Sequence, residues 1–301
     1  MIGARLIVNA DDFGWSRGIN EAIADAHESG ILTSASLMAN QPASEQAIAL
    51  ARNMPGLGVG MHLNLCAGRP VLPAKEVPSL VGANGEFHRP ADMFRKLWRF
   101  QVASEEVEAE FRAQIRWVRE RGVVLTHADS HLHVHLYPAA LGAFVRTLKH
   151  ERIECMRAPR CSVWPPRGLG GAHEGGVARR LLVQSYRGAL QAGPFREFSM
   201  PDSRISFRAA DRRDHDAIGR CWISALNYLP AGIFELACHP GFMEPGFSES
   251  DRIAAQRVEE FRWLTSAAFR AAVLRNKIQL ISYSGLCEPS LKRTQAIASA
   301  A

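Results

Sequence analysis

Leu6-Ile7-Val8-Asn9-Ala10-Asp11-Asp12-Phe13-Gly14 decides how the rest of this chain is read. The stretch opens on a nearly unbroken apolar run, the pattern of a strand buried on both faces of a parallel sheet. It ends on two adjacent carboxylates. A carboxylate at the lip of a core must find a metal, a cation or hydrogen bonds, or else take up a proton. The economical reading is a division of labour, with one Asp binding a metal and the other moving a proton. An Asp in this place also suits a helix N-cap, a role for which Ser16 competes.

Outward from this strand the chain alternates between two periods. Ile19–Ser29 is predicted helical and stops at Gly30. A strand over Thr33–Met38, a helix over Ala43–Arg52 and a strand over Val59–Leu65 follow. Ala67–Pro90 is rich in Gly and Pro and reads as irregular. Next come a helix over Glu105–Arg121, a strand at Val123–Thr126, a helix at Ala139–His150 and a strand at Ile153–Met156. Pro159–Gly176 reads as irregular, Val177–Leu190 as a helix and Phe195–Met200 as a short strand. Asp214–Leu226 is predicted helical, Ile233–Cys238 a strand, Ser250–Asn276 a broken helix and Ile278–Ser282 the last strand. Roughly eight strand–helix units imply an α/β fold, a distorted (β/α)-barrel of the TIM-barrel type in a single domain. An open doubly wound sheet is the second choice. The domain is expected over residues 1–289, with 290–301 a frayed tail.

The chain has 301 residues, 47% of them hydrophobic, and a net charge of +6. Eleven Arg and no Lys lie between Arg157 and Arg213. They read as a solvated surface, with a face for anionic groups or a membrane surface as the sharper alternative. Clustered basic residues with interleaved aromatics are absent, which argues against nucleic-acid binding. No apolar stretch approaches the ~18 residues of a membrane span. The six cysteines form no CxxC pair and read as reduced thiols, so a soluble, cytoplasmic chain is expected. The outer helices leave room for a homodimer.

Polar residues collect where strands end. Asp11 and Asp12 follow the first strand, and His62 ends the third. His127, Asp129, His131, His133 and His135 follow the fourth, and His239 follows Ile233–Cys238. In an α/β barrel these C-terminal strand ends form the active-site face. Each His alone reads more readily as a hydrogen-bonded structural residue. Their coincidence is what points to a site. One carboxylate with two imidazoles is a common set for Zn²⁺ or another divalent ion. Other motifs fail. Asp12-Phe13-Gly14 lacks the Gly-rich loop, strand Lys and HRD segment of a kinase. Gly56-x-Gly58-x-Gly60 precedes a strand rather than a helix, so it is no dinucleotide fingerprint, and neither GxSxG nor Walker A occurs.

Asn9-Ala10-Asp11-Asp12-Phe13-Gly14, Gly60-x-His62-Leu63, Thr126-His127-x-Asp129-Ser130-His131-x-His133-x-His135 and Cys238-His239-Pro240 occur in the order of the YdjC-like family. That family includes chitooligosaccharide deacetylases of the ChbG type. The resemblance runs from about Leu6 to Tyr283, and Ile31-Leu32-Thr33-Ser34 shares it. It implies a distorted barrel related to polysaccharide deacetylases. It also implies a divalent metal, Mg²⁺ or Zn²⁺, held by Asp12, His62 and His131, with Asp11 as base and His239 as acid or oxyanion stabiliser. The reaction would be removal of an N-acetyl group from an amino sugar by a metal-activated water.

Asp129 is the expected orienting partner of a ligand imidazole. His127, His133 and His135 are expected to support the cluster or touch sugar hydroxyls, and Trp15 and Arg69 to flank the substrate. The substrate is expected to be a chitooligosaccharide or another N-acetylglucosaminyl compound, with a glycosylated hopanoid-type lipid as the alternative. The same ligands would also serve a phosphoesterase, another amidohydrolase or a non-enzymatic binding protein.

Overall fold

A computed structural model describes residues 3–158, 161–164, 195, 197–207, 214–247 and 251–287. The helix expected at Val177–Leu190 and the tail from 290 lie outside these residues. The strands are β1 (Ala4–Phe13), β2 (Ser34–Leu37), β3 (Gly58–Leu63), β4 (Ala128–Ser130), β5 (Cys161–Trp164), β6 (Ser203–Phe207), β7 (Gly232–Cys238) and β8 (Gln279–Leu280). The described helices are α1 (Arg17–Glu28), α2 (Ser44–Asn53), α3 (Pro90–Trp98), α4 (Ser104–Arg119), α5 (Pro138–His150), α6 (His215–Asn227), α7 (Ala254–Thr265) and α8 (Ala267–Arg275).

All strand pairs among the described residues are parallel, in the order β4-β3-β2-β1-β7-β6-β5, with β8 added to β1. The barrel expectation holds in a curled, half-barrel form. No ladder joins β4 to β5 among the described residues. β4 instead continues through the isolated bridge Ala128↔Met156, and Cys155 bridges to Ser199. These two bridges are what remains of the strands expected at Ile153–Met156 and Phe195–Met200.

β1 lies in the middle of the sheet, as its apolar run requires. Leu6, Ile7, Val8 and Ala10 have no exposed surface. Helix α1 begins at Ser16, whose hydroxyl caps the Ile19 N–H at 3.3 Å. The cap is therefore taken, and the Asp pair is free for another task. The long C-terminal helix is broken at Ser266, which ends α7 and caps α8 through the Phe269 N–H.

Strand four departs from the sequence reading. Val123–Thr126 is irregular, and Val124 is 84% exposed. The paired strand is Ala128–Ser130, whose buried residues are mostly polar because they face a polar interior. Cys161–Trp164 forms a strand inside a stretch read as irregular. Cys155 is disulfide-bonded, so the expectation of reduced thiols fails there and holds for the free Cys66, Cys221 and Cys238. No helix among the described residues is long and apolar enough to cross a membrane.

Candidate active site

The two carboxylates of β1 reach one end of the sheet by an irregularity in the strand. Asn9 and Ala10 pair with Ser34 and Ala35, but Phe13 pairs with Leu37, so β1 spends three residues where β2 spends two. That extra residue is a β-bulge. Asp12 carries it with a φ of 67°, in the left-handed region where a non-glycine residue costs about 1–2 kcal/mol. Regular alternation would send neighbouring side chains to opposite faces. At the bulge both carboxylates stay buried and both reach histidines, while Phe13 returns to the core.

His62 on β3 stands opposite Asp129 on β4 in the register of the two strands. Its Nδ1 lies 2.7 Å from Asp129 Oδ1, which leaves Nε2 facing Asp12 Oδ1 at 3.5 Å. The strand needs glycine at position 60, because a Cβ there would collide with the His127 ring. His131 follows β4 directly and brings Nδ1 to 3.1 Å from the same Asp12 oxygen. Leu132 and His133 then kink the chain with φ of 51° and 57°, immediately after His131. Trp15 meets the His131 ring edge-on at 4.8 Å between centroids.

One donor-type atom from each of Asp12, His62 and His131 lies within 4.8 Å of the other two. One carboxylate oxygen with two imidazole nitrogens is chemically suited to a divalent cation. The second oxygen of Asp12 is already engaged by the Arg257 Nη2 of α7 at 2.7 Å, so Oδ1 is the free donor. Asp129 holds the far nitrogen of His62, as an outer carboxylate does for a metal-bound imidazole. The residues present therefore fit the metal that the resemblance implies. A second group, Asp11, His62 and Asp129, is equally close. It is not equivalent, because a guanidinium already supplies its positive charge.

That guanidinium is Arg157. It binds Asp11 through Nη1 at 2.9 Å and Nη2 at 2.5 Å, Asp129 through Nη1 at 2.6 Å and Glu235 through Nε at 2.8 Å. Arg157 is 2% exposed, so the reading of the Arg-rich stretch as a solvated surface fails at its first residue. Burial would raise the Asp11 pKa, but Arg157, His62 and His239 outweigh it and hold the carboxyl far below its usual range. Burial works the same way at Asp12, where Arg257, His131 and His62 keep the carboxylate ionised. At His62 burial favours the neutral ring, yet Asp129 and Asp11 push its pKa up to about 10.

His239 leaves β7 beside the Asp pair, since Ala10 pairs with Cys238. Its Nε2 lies 3.8 Å from Asp11 Oδ2, and its side chain is 31% exposed. The other histidines of the cluster contact protein groups. His127 stacks on Tyr283 at 3.7 Å and bonds to Thr126 and Ser36, and burial keeps its pKa down at about 3. His135 packs on Phe144 and bonds to Ser130, and burial again brings its pKa to about 3. His133 receives the Arg204 Nη1 at 2.7 Å. Arg69 is 69% exposed, and its ion-pair partner is Glu86 rather than a residue of the cluster.

Several residues of the site carry no motif. Arg157, Arg257 and Glu260 are distant in sequence from what they hold. Asn9 and Ser36 link the network, with Asn9 Nδ2 donating to Asp11 and Ser36, and Ser36 donating to Asp129. Glu235 did leave a signal, as the one acid inside the apolar strand Ile233–Cys238.

Known proteins share this arrangement's framework. The family model described as YdjC-like protein matches residues 5–275. A carbohydrate deacetylase of Brevibacillus brevis is 34% identical over 94% of this chain and 99% of its own length. A carbohydrate deacetylase of Geobacillus stearothermophilus is 33% identical over 92% and 96%. A crystal structure from Enterococcus faecalis, named as a candidate cellobiose-phosphate cleavage protein, superposes with a TM-score of 0.73 at 26% identity, over 95% of this chain and 99% of that one. With near-complete coverage on both sides, the chain belongs to the YdjC-like family of carbohydrate deacetylases.

Proposed function

We propose that this chain is a divalent-metal-dependent hydrolase that removes the acetyl group from an N-acetylated amino sugar, of the chitooligosaccharide type or a related N-acetylglucosaminyl compound. The observation that carries the reading is the convergence of three metal-type donors with an ionised carboxylate and a half-open imidazole at one sheet end. Asp12, His62 and His131 would hold Zn²⁺ or Mg²⁺, the two imidazoles favouring Zn²⁺. Such a cation supplies Lewis acidity to an amide carbonyl and lowers the pKa of a water.

The chain's own residues do the rest. Asp11 takes the proton from the attacking water, and Arg157 keeps it ionised and fixed in direction until then. His239 gives a proton to the nitrogen of the departing amine. Asp129 fixes His62 so that Nε2, not Nδ1, faces the metal position. Trp15 and the loop bearing Arg69 flank the approach of the sugar.

Metal analysis combined with acetate release from diacetylchitobiose tests this. Asp12→Asn is expected to lose bound metal and activity together, and retained stoichiometric metal would reject the ligand assignment. Asp11→Asn is expected to keep the metal and lose turnover by ~10²-fold or more, the usual scale for a general base. Phosphate release from aryl phosphates with no acetate release would replace this reading with a phosphoesterase.

A further inference from the structure

Two side chains of α7 reach the active site and serve different halves of it. Arg257 and Glu260 are three residues apart, which sets them on one face of the helix, and both are buried. Arg257 holds Asp12. Glu260 holds the start of the loop after β7. Its Oε2 accepts the backbone N–H of His239 at 2.5 Å and lies 3.8 Å from His239 Nδ1. Gln256, one turn earlier, donates to Oε1 at 2.5 Å and fixes the carboxylate from the other side.

The imidazole of His239 thus stands between two carboxylates at equal distance, with Nε2 3.8 Å from Asp11 and Nδ1 3.8 Å from Glu260. Nδ1 is buried without a hydrogen-bond partner, a state that is unfavourable for a ring N–H. Glu260 is the acceptor that faces it. The two carboxylates differ in how much charge they have left to offer. Asp11 shares its charge with the Arg157 guanidinium. Glu260 bonds to an amide and a backbone N–H, and among the described residues no Arg or Lys pairs with it.

Given the reading of His239 as proton donor, on which this step rests, we propose that Glu260 is its positioning residue. Glu260 takes the Nδ1–H, so the proton to be delivered sits on Nε2, toward Asp11 and the open side of the ring. Around His239 the charged groups are Asp11 and Asp12 from β1, with their partners Arg157 and Arg257, and Glu260 from α7. Burial alone would lower the His239 pKa, but Glu260, Asp11 and Asp12 outweigh it and raise it.

The test is an NMR titration of the metal-loaded full chain with ring-labelled histidine, the His239 signal being assigned by its loss in His239→Gln. Glu260→Gln removes the charge but keeps the shape, and is expected to lower the His239 midpoint by about one unit. Glu260→Asp draws the carboxylate back by one methylene and is expected to titrate between the two. Bound metal should stay stoichiometric in both, since neither change touches a ligand. The alkaline limb of kcat/KM for acetate release should fall by the same shift. A wild-type midpoint in either variant overturns the proposal. Unimpaired acetate release by His239→Gln would overturn the proton-donor reading instead, which the midpoint measurement does not depend on.

Discussion

Two arginine–carboxylate clusters in this molecule are inverted copies of each other. In the sheet interior one guanidinium, Arg157, serves three carboxylates, Asp11, Asp129 and Glu235, all buried. Between α4 and α5, three guanidiniums, Arg112, Arg116 and Arg119, surround one carboxylate, Glu151. The outer arginines are 27%, 54% and 36% exposed, so water and salt share their surplus positive charge. Inside, water and salt have little access, and the charge that Arg157 leaves over is offset only by neighbours such as His62 and His239. Burial and the neighbouring carboxylates raise the Glu235 pKa against the pull of Arg157, so protonation there is one outlet. Asp11 by contrast is held ionised, the state that its proposed role as general base requires. The same residue types make screened surface pairs in one place and perturbed, buried charges in the other, and solvent is what separates them.

The comparison breaks most sharply at Arg157. Arg157→Met leaves three buried carboxylates without their cation, and is expected to cost about 3–5 kcal/mol of stability by urea unfolding, with acetate release lost. A loss below ~1 kcal/mol would make the interior cluster no different from the outer one.

Next comes pH. Asp11 and Asp129 have folded pKa values below their ordinary ones, so their stabilising share is complete above about pH 4 and lost as pH falls below it. His62 is raised to about 10, so in metal-stripped protein its share is complete below about pH 6.5 and lost as pH climbs toward 10. Melting temperatures across pH, with and without chelator, check both limbs. The acid limb should shrink in Arg157→Met, and the alkaline limb should weaken when metal takes the place of the His62 proton.

The smallest effect is expected outside. Arg116→Ala, 54% exposed and 3.8 Å from Glu151, should change stability by no more than ~0.5 kcal/mol. A larger loss would mean that the outer cluster is also structural.

The sequence made β1 and the strand-end residues legible because strands announce themselves by apolar runs, and polar residues at their ends stand out against them. Asp12, His62, His131 and His239 were visible on that ground. Strand four was misplaced for the same reason. Val123-Val124-Leu125 has the composition of a strand, while Ala128–Ser130 is lined with polar groups that only the interior network explains. Arg157 was invisible because a single Arg among eleven carries no sign that it lies 146 residues from its partner in sequence and 2.5 Å away in space. Arg257 and Glu260 share a buried helix face, but a charged pair three apart is ordinary on solvent-facing helices. Only the fold turns them inward.

The bulge in β1 separates foldability from activity within a single strand. Residues before it pair with both β2 and β7, and Phe13 after it resumes pairing with β2, so the surplus residue interrupts the ladder without ending it. A chain shortened by one residue at the Asp pair could zip into a smoother sheet and still pack Phe13. Adjacent carboxylates there would no longer share one end of the sheet, since regular alternation sends neighbouring side chains to opposite faces. Inheritance of the fold therefore says less about inheritance of the reaction than the presence of this one surplus residue does.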